Sequence, residues 1–243
     1  MLLEICVDTL AAATAAAGGG AGRLELNSAL ALDGLTPSLG LLQEVRRAVG
    51  RRTPVVAMAR PRAGDFCYGD EDFRVLLRDV DLLLEHGADG IAFGVLTANG
   101  AVDAPRCRQV VRRIEASGRT AEGAVFHRAF DATRNPLDSL EHLIDLGVRR
   151  VMTSGGRPTA LEGAQAIAEL LRRAAGRIEI LPAGGIRPSN APAVAARTGC
   201  DQLHASLRDR RAGAFSPRLL RETVERLRPN SPRPAGRRRP ADQ

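Results

Sequence analysis

The chain has 243 residues, of which 44% are hydrophobic and 26% charged, which is enough for one large core and ordinary for a globular domain. The formal charge is +7, carried by arginine with no lysine at all, and residues 228–243 alone hold five arginines against one aspartate. Six Phe, one Tyr and no Trp give little on which nucleic-acid bases could stack, so nucleic acid is not expected as a partner despite the charge.

In chain order one phrase recurs: a short apolar strand, a glycine or polar turn, then an amphipathic helix. The apolar residues predict strands at 2–7, 23–27, 54–60, 90–94, 124–130, 148–154, 178–183 and 202–206. The segments that follow them predict helices at 9–17, 37–49, 71–86, 105–117, 136–146, 159–175, 188–197 and 217–227. Thr36-Pro37 reads as an N-cap followed by proline in the first turn, and Gly87, Gly147 and Gly199 read as helix stops. Eight alternating units predict an α/β fold, a single-domain (β/α)8 TIM-type barrel over residues 1–227. No GxGxxG follows the first strand, as a doubly wound dinucleotide fold would need. The remaining segment, 228–243, is rich in Pro and Arg and is expected to be a short, disordered, basic tail.

No apolar run reaches membrane-spanning length, and Glu4 in a start without basic residues argues against a signal peptide. The four cysteines lie 61, 40 and 93 residues apart, a pattern suited to reduced thiols and a cytoplasmic location.

Barrel enzymes carry their chemistry where strands end, and the segment Arg60–Gly69 stands out there. It sets two arginines, an aspartate, a cysteine and a tyrosine after a buried strand. Alternation along the strands turns Glu4, Cys6, Glu25, Asn27, His204 and Ser206 inward on three neighbouring strands, with His127 facing them from the fifth. The same count puts Arg128 on the outer side. Buried carboxylates and histidines are costly without partners, so such a wall marks a site.

Several blocks together resemble the CutC family: Glu4-Ile-Cys6-Val-Asp, Arg23-Leu-Glu25-Leu, Gly34-Leu-Thr36-Pro-Ser-Leu-Gly40, residues 60–68, Phe126-His127-Arg128-Ala129-Phe130-Asp131 and Thr153-Ser154-Gly155. The resemblance spans roughly residues 1–210. It implies a TIM-type barrel, a cytoplasmic location and control of copper levels through Cu(I) binding; a homo-oligomer is expected besides. It also implies a metal site at Cys6, to which His204 stands near, with a second cysteine ending the second strand. Asn27 occupies that second position, so Cu(I) binding is expected to be weak.

The residues also support an enzyme of isomerase or lyase type acting on a small phosphorylated or carboxylate substrate. Arg60 and Arg62 offer planar donors to an anion, and Gly184, Gly185 and Ser206 fall where barrels commonly hold phosphate. Glu25 and His127 would serve as base and acid, Arg60 would assist the chemistry, and Asp131 would orient an arginine or histidine.

Overall fold

The computed structural model describes residues 1–119, 122–209 and 211–228. From residue 229 onward the expected tail lies outside the described residues. Within them, no helix is long and apolar enough to cross a membrane.

Eight strands alternate with eight helices. They are β1 (Leu2–Val7), β2 (Arg23–Leu26), β3 (Val55–Met58), β4 (Gly90–Phe93), β5 (Gly123–Phe126), β6 (Arg150–Thr153), β7 (Glu179–Pro182) and β8 (Gln202–Ala205). The helices are α1 (Leu10–Gly18), α2 (Leu39–Val49), α3 (Asp70–Glu85), α4 (Ala104–Ala116), α5 (Pro136–Asp145), α6 (Ala164–Ala174), α7 (Ala191–Thr198) and α8 (Pro217–Leu227). All strand pairs are parallel, in the order β7-β6-β5-β4-β3-β2-β1-β8, and β7 packs beside β8 to bring the ring nearly to closure. The (β/α)8 expectation holds.

Each helix presents one apolar stripe to the sheet, as Leu42 and Val45 do on α2 and Phe73, Leu76, Val80 and Leu83 do on α3. Against them lie the outward strand residues, among them Leu3, Ile5, Leu24, Leu26, Ile91, Phe93 and Phe126. This outer shell is the main core. Gly87, Gly147 and Gly199 follow their helices with φ of 107°, 77° and 75°, the left-handed conformation that lets a chain turn directly into the next strand.

Three helix starts differ from expectation, α7 among them at Ala191 rather than 188, and for the other two the reason is local. Ser38, not Thr36, caps α2 by accepting from the Leu41 N–H. Thr36 instead accepts from the Arg60 N–H and donates to Asp79, tying the loop after β2 to the segment just past β3 and to α3. The sixth helix starts at Ala164 rather than 159, because residues 155–163 form a tight turn in which Gly155 sits against the Gly163 backbone.

The barrel interior is divided. Toward β3–β5 it is apolar, with Val56, Met58, Ala92 and Val125. It is charged across the N-terminal ends of β5–β7 and toward β8, β1 and β2, and the charges run from the first region to the second. Arg150 at the N-terminal end pairs with Glu122 (3.3 Å) and Glu179 (2.6 Å). Arg23 meets Glu122 (3.3 Å), Gln202 (2.9 Å) and Glu4. Glu4 in turn accepts from His204 Nδ1 at 2.7 Å, which carries the run of charges into the C-terminal half. Every buried charge in it has an opposite neighbour, which is what makes such burial tolerable.

Candidate functional site

A cavity of about 590 Å3 opens at the C-terminal ends of the strands, the face from which β/α loops leave. Cys6, Glu25, Asn27, His127, His204 and Ser206 all line it, as strand alternation predicts.

On the β1/β2/β8 wall, Cys6 Sγ, a Glu25 carboxylate oxygen and a His204 ring nitrogen lie within 4.8 Å of one another. Asn27 Nδ2 donates to Glu25 Oε2 (2.9 Å) and approaches Cys6 Sγ (3.3 Å). Glu25 Oε1 is buried and has no partner among the described residues. Burial, reinforced by the Glu4 charge, raises the Glu25 carboxyl above its ordinary range despite the nearby His204. For His204, burial works against the charged form, but Glu25 and Glu4 outweigh it and raise its pKa. Burial would also raise Glu4; the His204 hydrogen bond and the Arg23 charge overcome it and hold that carboxyl at about 2. The Cys6 thiol is pushed well up by burial and by Glu25, so it is a thiol rather than a thiolate.

On the opposite wall, β5 ends at Phe126, four residues earlier than expected. His127 caps a 3-10 turn, Arg128–Ala132, its Nδ1 accepting from the Ala129 N–H at 3.1 Å. That turn swings Arg128 into the cavity, correcting its assignment to the outer side. Burial, with Arg60 nearby, drives the His127 pKa down to about 3. Arg60 is 4% exposed and lines the cavity. Its guanidinium donates only to carbonyls, those of Leu32 (3.0 Å), Gly34 (3.1 Å) and Gly64 (2.8 Å), and it has no carboxylate partner among the described residues.

Arg187 and Arg208 complete the rim together with the Gly184-Gly185 turn, where φ values of 101° and 68° favour glycine. Arg208 pairs with Asp8 at 3.0 Å. Arg187 donates to the Arg208 carbonyl and has no carboxylate within ion-pair distance among the described residues. Ser206 lines the same side and makes no hydrogen bond among the described residues. Four arginines thus border a cavity whose own carboxylates are Glu25 and Asp33.

Two expected site residues lie elsewhere. Arg62 does not line the cavity. Its guanidinium is spent on Asp72 (2.6 Å), Asp65 (2.9 Å) and the Cys67 carbonyl (2.9 Å) while it lies over the Tyr68 ring, so it pins its own loop and is not a free anion donor. Asp131 also stands outside the cavity lining. It accepts from the backbone N–H groups of Ser154 (3.0 Å) and Gly156 (3.1 Å) and holds Arg128 Nε at 2.9 Å. Its part is therefore to organise the loop after β6 and to aim Arg128. Sequence reading missed Arg187 and Arg208 because both lie in loops, where alternation gives no direction.

Comparison with known proteins follows the same line. The CutC family model matches residues 1–209. A CutC-family protein of Treponema denticola is 46% identical over 209 residues, covering 86% of this chain and 82% of the relative. The copper homeostasis protein cutC homolog of Mus musculus is 42% identical over 210 residues, covering 86% and 75%. A solved CutC structure from Streptococcus agalactiae superposes with a TM-score of 0.77 at 30% identity, covering 85% of this chain and 98% of that one. The 3-hexulose-6-phosphate synthase of Salmonella typhimurium, at 16% identity and TM-score 0.64, covering 93% and 98%, shares the fold alone.

Proposed function

The chain belongs to the CutC family, and from that premise we propose that its barrel-top cavity binds a small phosphorylated or carboxylate molecule and performs isomerase- or lyase-type acid–base chemistry on it. One observation carries this reading. Arg60 and Arg187 both line the cavity without a carboxylate within ion-pair distance among the described residues, Arg187 having only the more distant charge of Asp209, and Arg60 is almost fully buried. A buried guanidinium satisfied only by carbonyls keeps its positive charge uncompensated, which an anionic ligand would relieve. Glu25, with a raised pKa and a partnerless oxygen, supplies the base, and the His204–Glu4 pair supplies a second proton-carrying group beside it.

Thermal unfolding across a panel of anions tests it. Inorganic phosphate and small phosphate esters should raise Tm saturably through mass action on the folded state, beyond the effect of matched chloride. Arg187→Ala should abolish the rise and keep the fold, because Arg187 lies in a loop; Arg62→Ala should leave the rise intact. A flat Tm across the panel would remove the reading.

A second reading, Cu(I) handling in copper homeostasis, is favoured by the Cys6–Glu25–His204 cluster and by the mouse relative's name. The donor set fits Cu(I) only weakly: one thiol, held protonated by burial, with Asn27 beside it and arginines around it. Competition against a Cu(I) chelator should therefore show weak binding that depends on Cys6. Asn27→Cys should tighten it strongly, since neighbouring strands lie about 4.8 Å apart and two thiolates could share the ion. Tight binding that survives Cys6→Ser would exclude this site.

A further inference from the structure

The proposed acid–base chemistry leaves one feature unused. His127 Nε2 and Arg60 Nε are both buried and both lack a hydrogen-bond partner among the described residues. Unpaired buried polar atoms are rare in folded proteins, and two on one wall of a cavity are a feature to be explained.

Their chemistry is constrained. His127 Nδ1 accepts from the Ala129 N–H, so in the neutral ring the proton sits on Nε2. Nε2 is then a donor, as Arg60 Nε always is. His127 was expected to work as an acid or base in proton transfer; the turn at Arg128–Ala132 makes it a fixed neutral donor instead. Both groups pack on the Phe66 ring, with His127 5.0 Å from it centroid to centroid and the Arg60 guanidinium carbon 5.1 Å away. Phe66 also lines the cavity. The imidazole is held hard against β4, where a Cβ on Gly94 would come within 2.5 Å of His127 Cε1, so only glycine admits the ring there.

We infer that His127 and Arg60 form a receptor for a carbonyl oxygen of the substrate and stabilise the negative charge that gathers on it when Glu25, across the cavity from His127, removes a proton from the adjacent carbon. This rests on the proposed function and deepens it, naming the substrate as a phosphorylated aldehyde, ketone or 2-oxo acid. The step balances internally. The C–H pair becomes the C=C bond of an enediolate or enolate, the carbonyl π pair moves to oxygen, and the proton resides on Glu25 for return to a neighbouring carbon. Phosphate at Gly184-Gly185 and Arg187 anchors the far end. Both donor atoms are buried and both groups pack on Phe66, so that ring must shift to admit the oxygen. Donors held where charge develops then lower the barrier, and a neutral imidazole suits the role because its weakly acidic N–H shares its proton with the oxygen without surrendering it.

The probe is 2-phosphoglycolate, whose planar carboxylate imitates an enediolate, measured by calorimetry beside inorganic phosphate. The wild type should prefer phosphoglycolate by about tenfold or more, the range of one or two charge-assisted hydrogen bonds. His127→Phe keeps a ring but no donor; it should bring that preference within about threefold and leave phosphate affinity nearly unchanged. A preference that persists in His127→Phe overturns the receptor while sparing the proposed function. Absence of binding by either anion to the wild type overturns the proposed function and the receptor with it. Nitrogen NMR of wild-type His127 near neutral pH gives a readout independent of any ligand or variant. An Nε2–H tautomer with Nδ1 as acceptor agrees with the receptor, and an Nδ1–H tautomer overturns it.

Discussion

Replacing Glu4 with alanine is expected to destabilise the fold by about 3–5 kcal/mol, the cost of stranding buried charge. Glu4 is 1% exposed and is the only carboxylate within ion-pair reach of both Arg23 and His204 among the described residues. Without it, Arg23 retains only the longer contact to Glu122 and its bond to Gln202. His204 would lose the partner that fixes its Nδ1 proton. Glu4→Gln should cost less, since an amide still hydrogen-bonds while removing the charge. Urea denaturation at neutral pH measures both. A loss under about 1 kcal/mol for Glu4→Ala would place this run of charges among ion pairs that contribute little.

The second large effect concerns acid. His127 ionises at about 3 in the folded chain and at an ordinary 6.5 in the unfolded one. Between those values the unfolded chain binds a proton that the folded chain refuses, so stability falls as pH falls through the window. From pH 7.5 to pH 5 the loss attributable to His127 is about 2 kcal/mol. His204 has the opposite sign: its raised pKa favours the fold at low pH, and that contribution is lost as pH rises through its folded value. Glu25, also raised, likewise favours the fold increasingly as pH falls toward 4.5. Glu4 adds a loss only below about 4.5, down to its folded value of about 2. The difference between wild type and His127→Phe isolates the His127 contribution. The variant should lose about 2 kcal/mol less between those two pH values. Parallel pH profiles for the two proteins would show that His127 is not held neutral by the fold.

The barrel was legible because its signals are periodic. Apolar strands each followed by a helical segment repeat eight times, stop glycines such as Gly87, Gly147 and Gly199 punctuate them, and alternation alone turned Cys6, Glu25, Asn27, His204 and His127 inward. What alternation could not give was direction past a strand end. Arg128 was placed outward by counting along β5, but the strand stops when His127 folds back to cap its own turn. Arg62 and Arg60 stand two residues apart and look equivalent in sequence. One is clamped by Asp65 and Asp72 on the outside of its loop, whereas the other is buried among carbonyls at the cavity wall. Asp131 was expected to orient an arginine or histidine, and it does hold Arg128, but it does so from outside the cavity while most of its bonds organise the turn after β6. The run of charges was partly visible as Glu4 facing inward. Its continuation through Arg23, Glu122 and Arg150 depends on which long side chains meet inside the barrel, and that is a matter of register between strands.

An anion in this cavity would sit among Arg60, Arg128, Arg187 and Arg208, with Glu25 facing it. The most direct measurement is a crystal structure of the protein soaked in 2-phosphoglycolate. The account predicts the phosphate against the Gly184-Gly185 turn and Arg187, with the carboxylate reaching His127 Nε2 and Arg60 once Phe66 has moved aside. A cavity left empty at saturating ligand, or phosphoglycolate bound only at surface arginines outside it, would contradict the account.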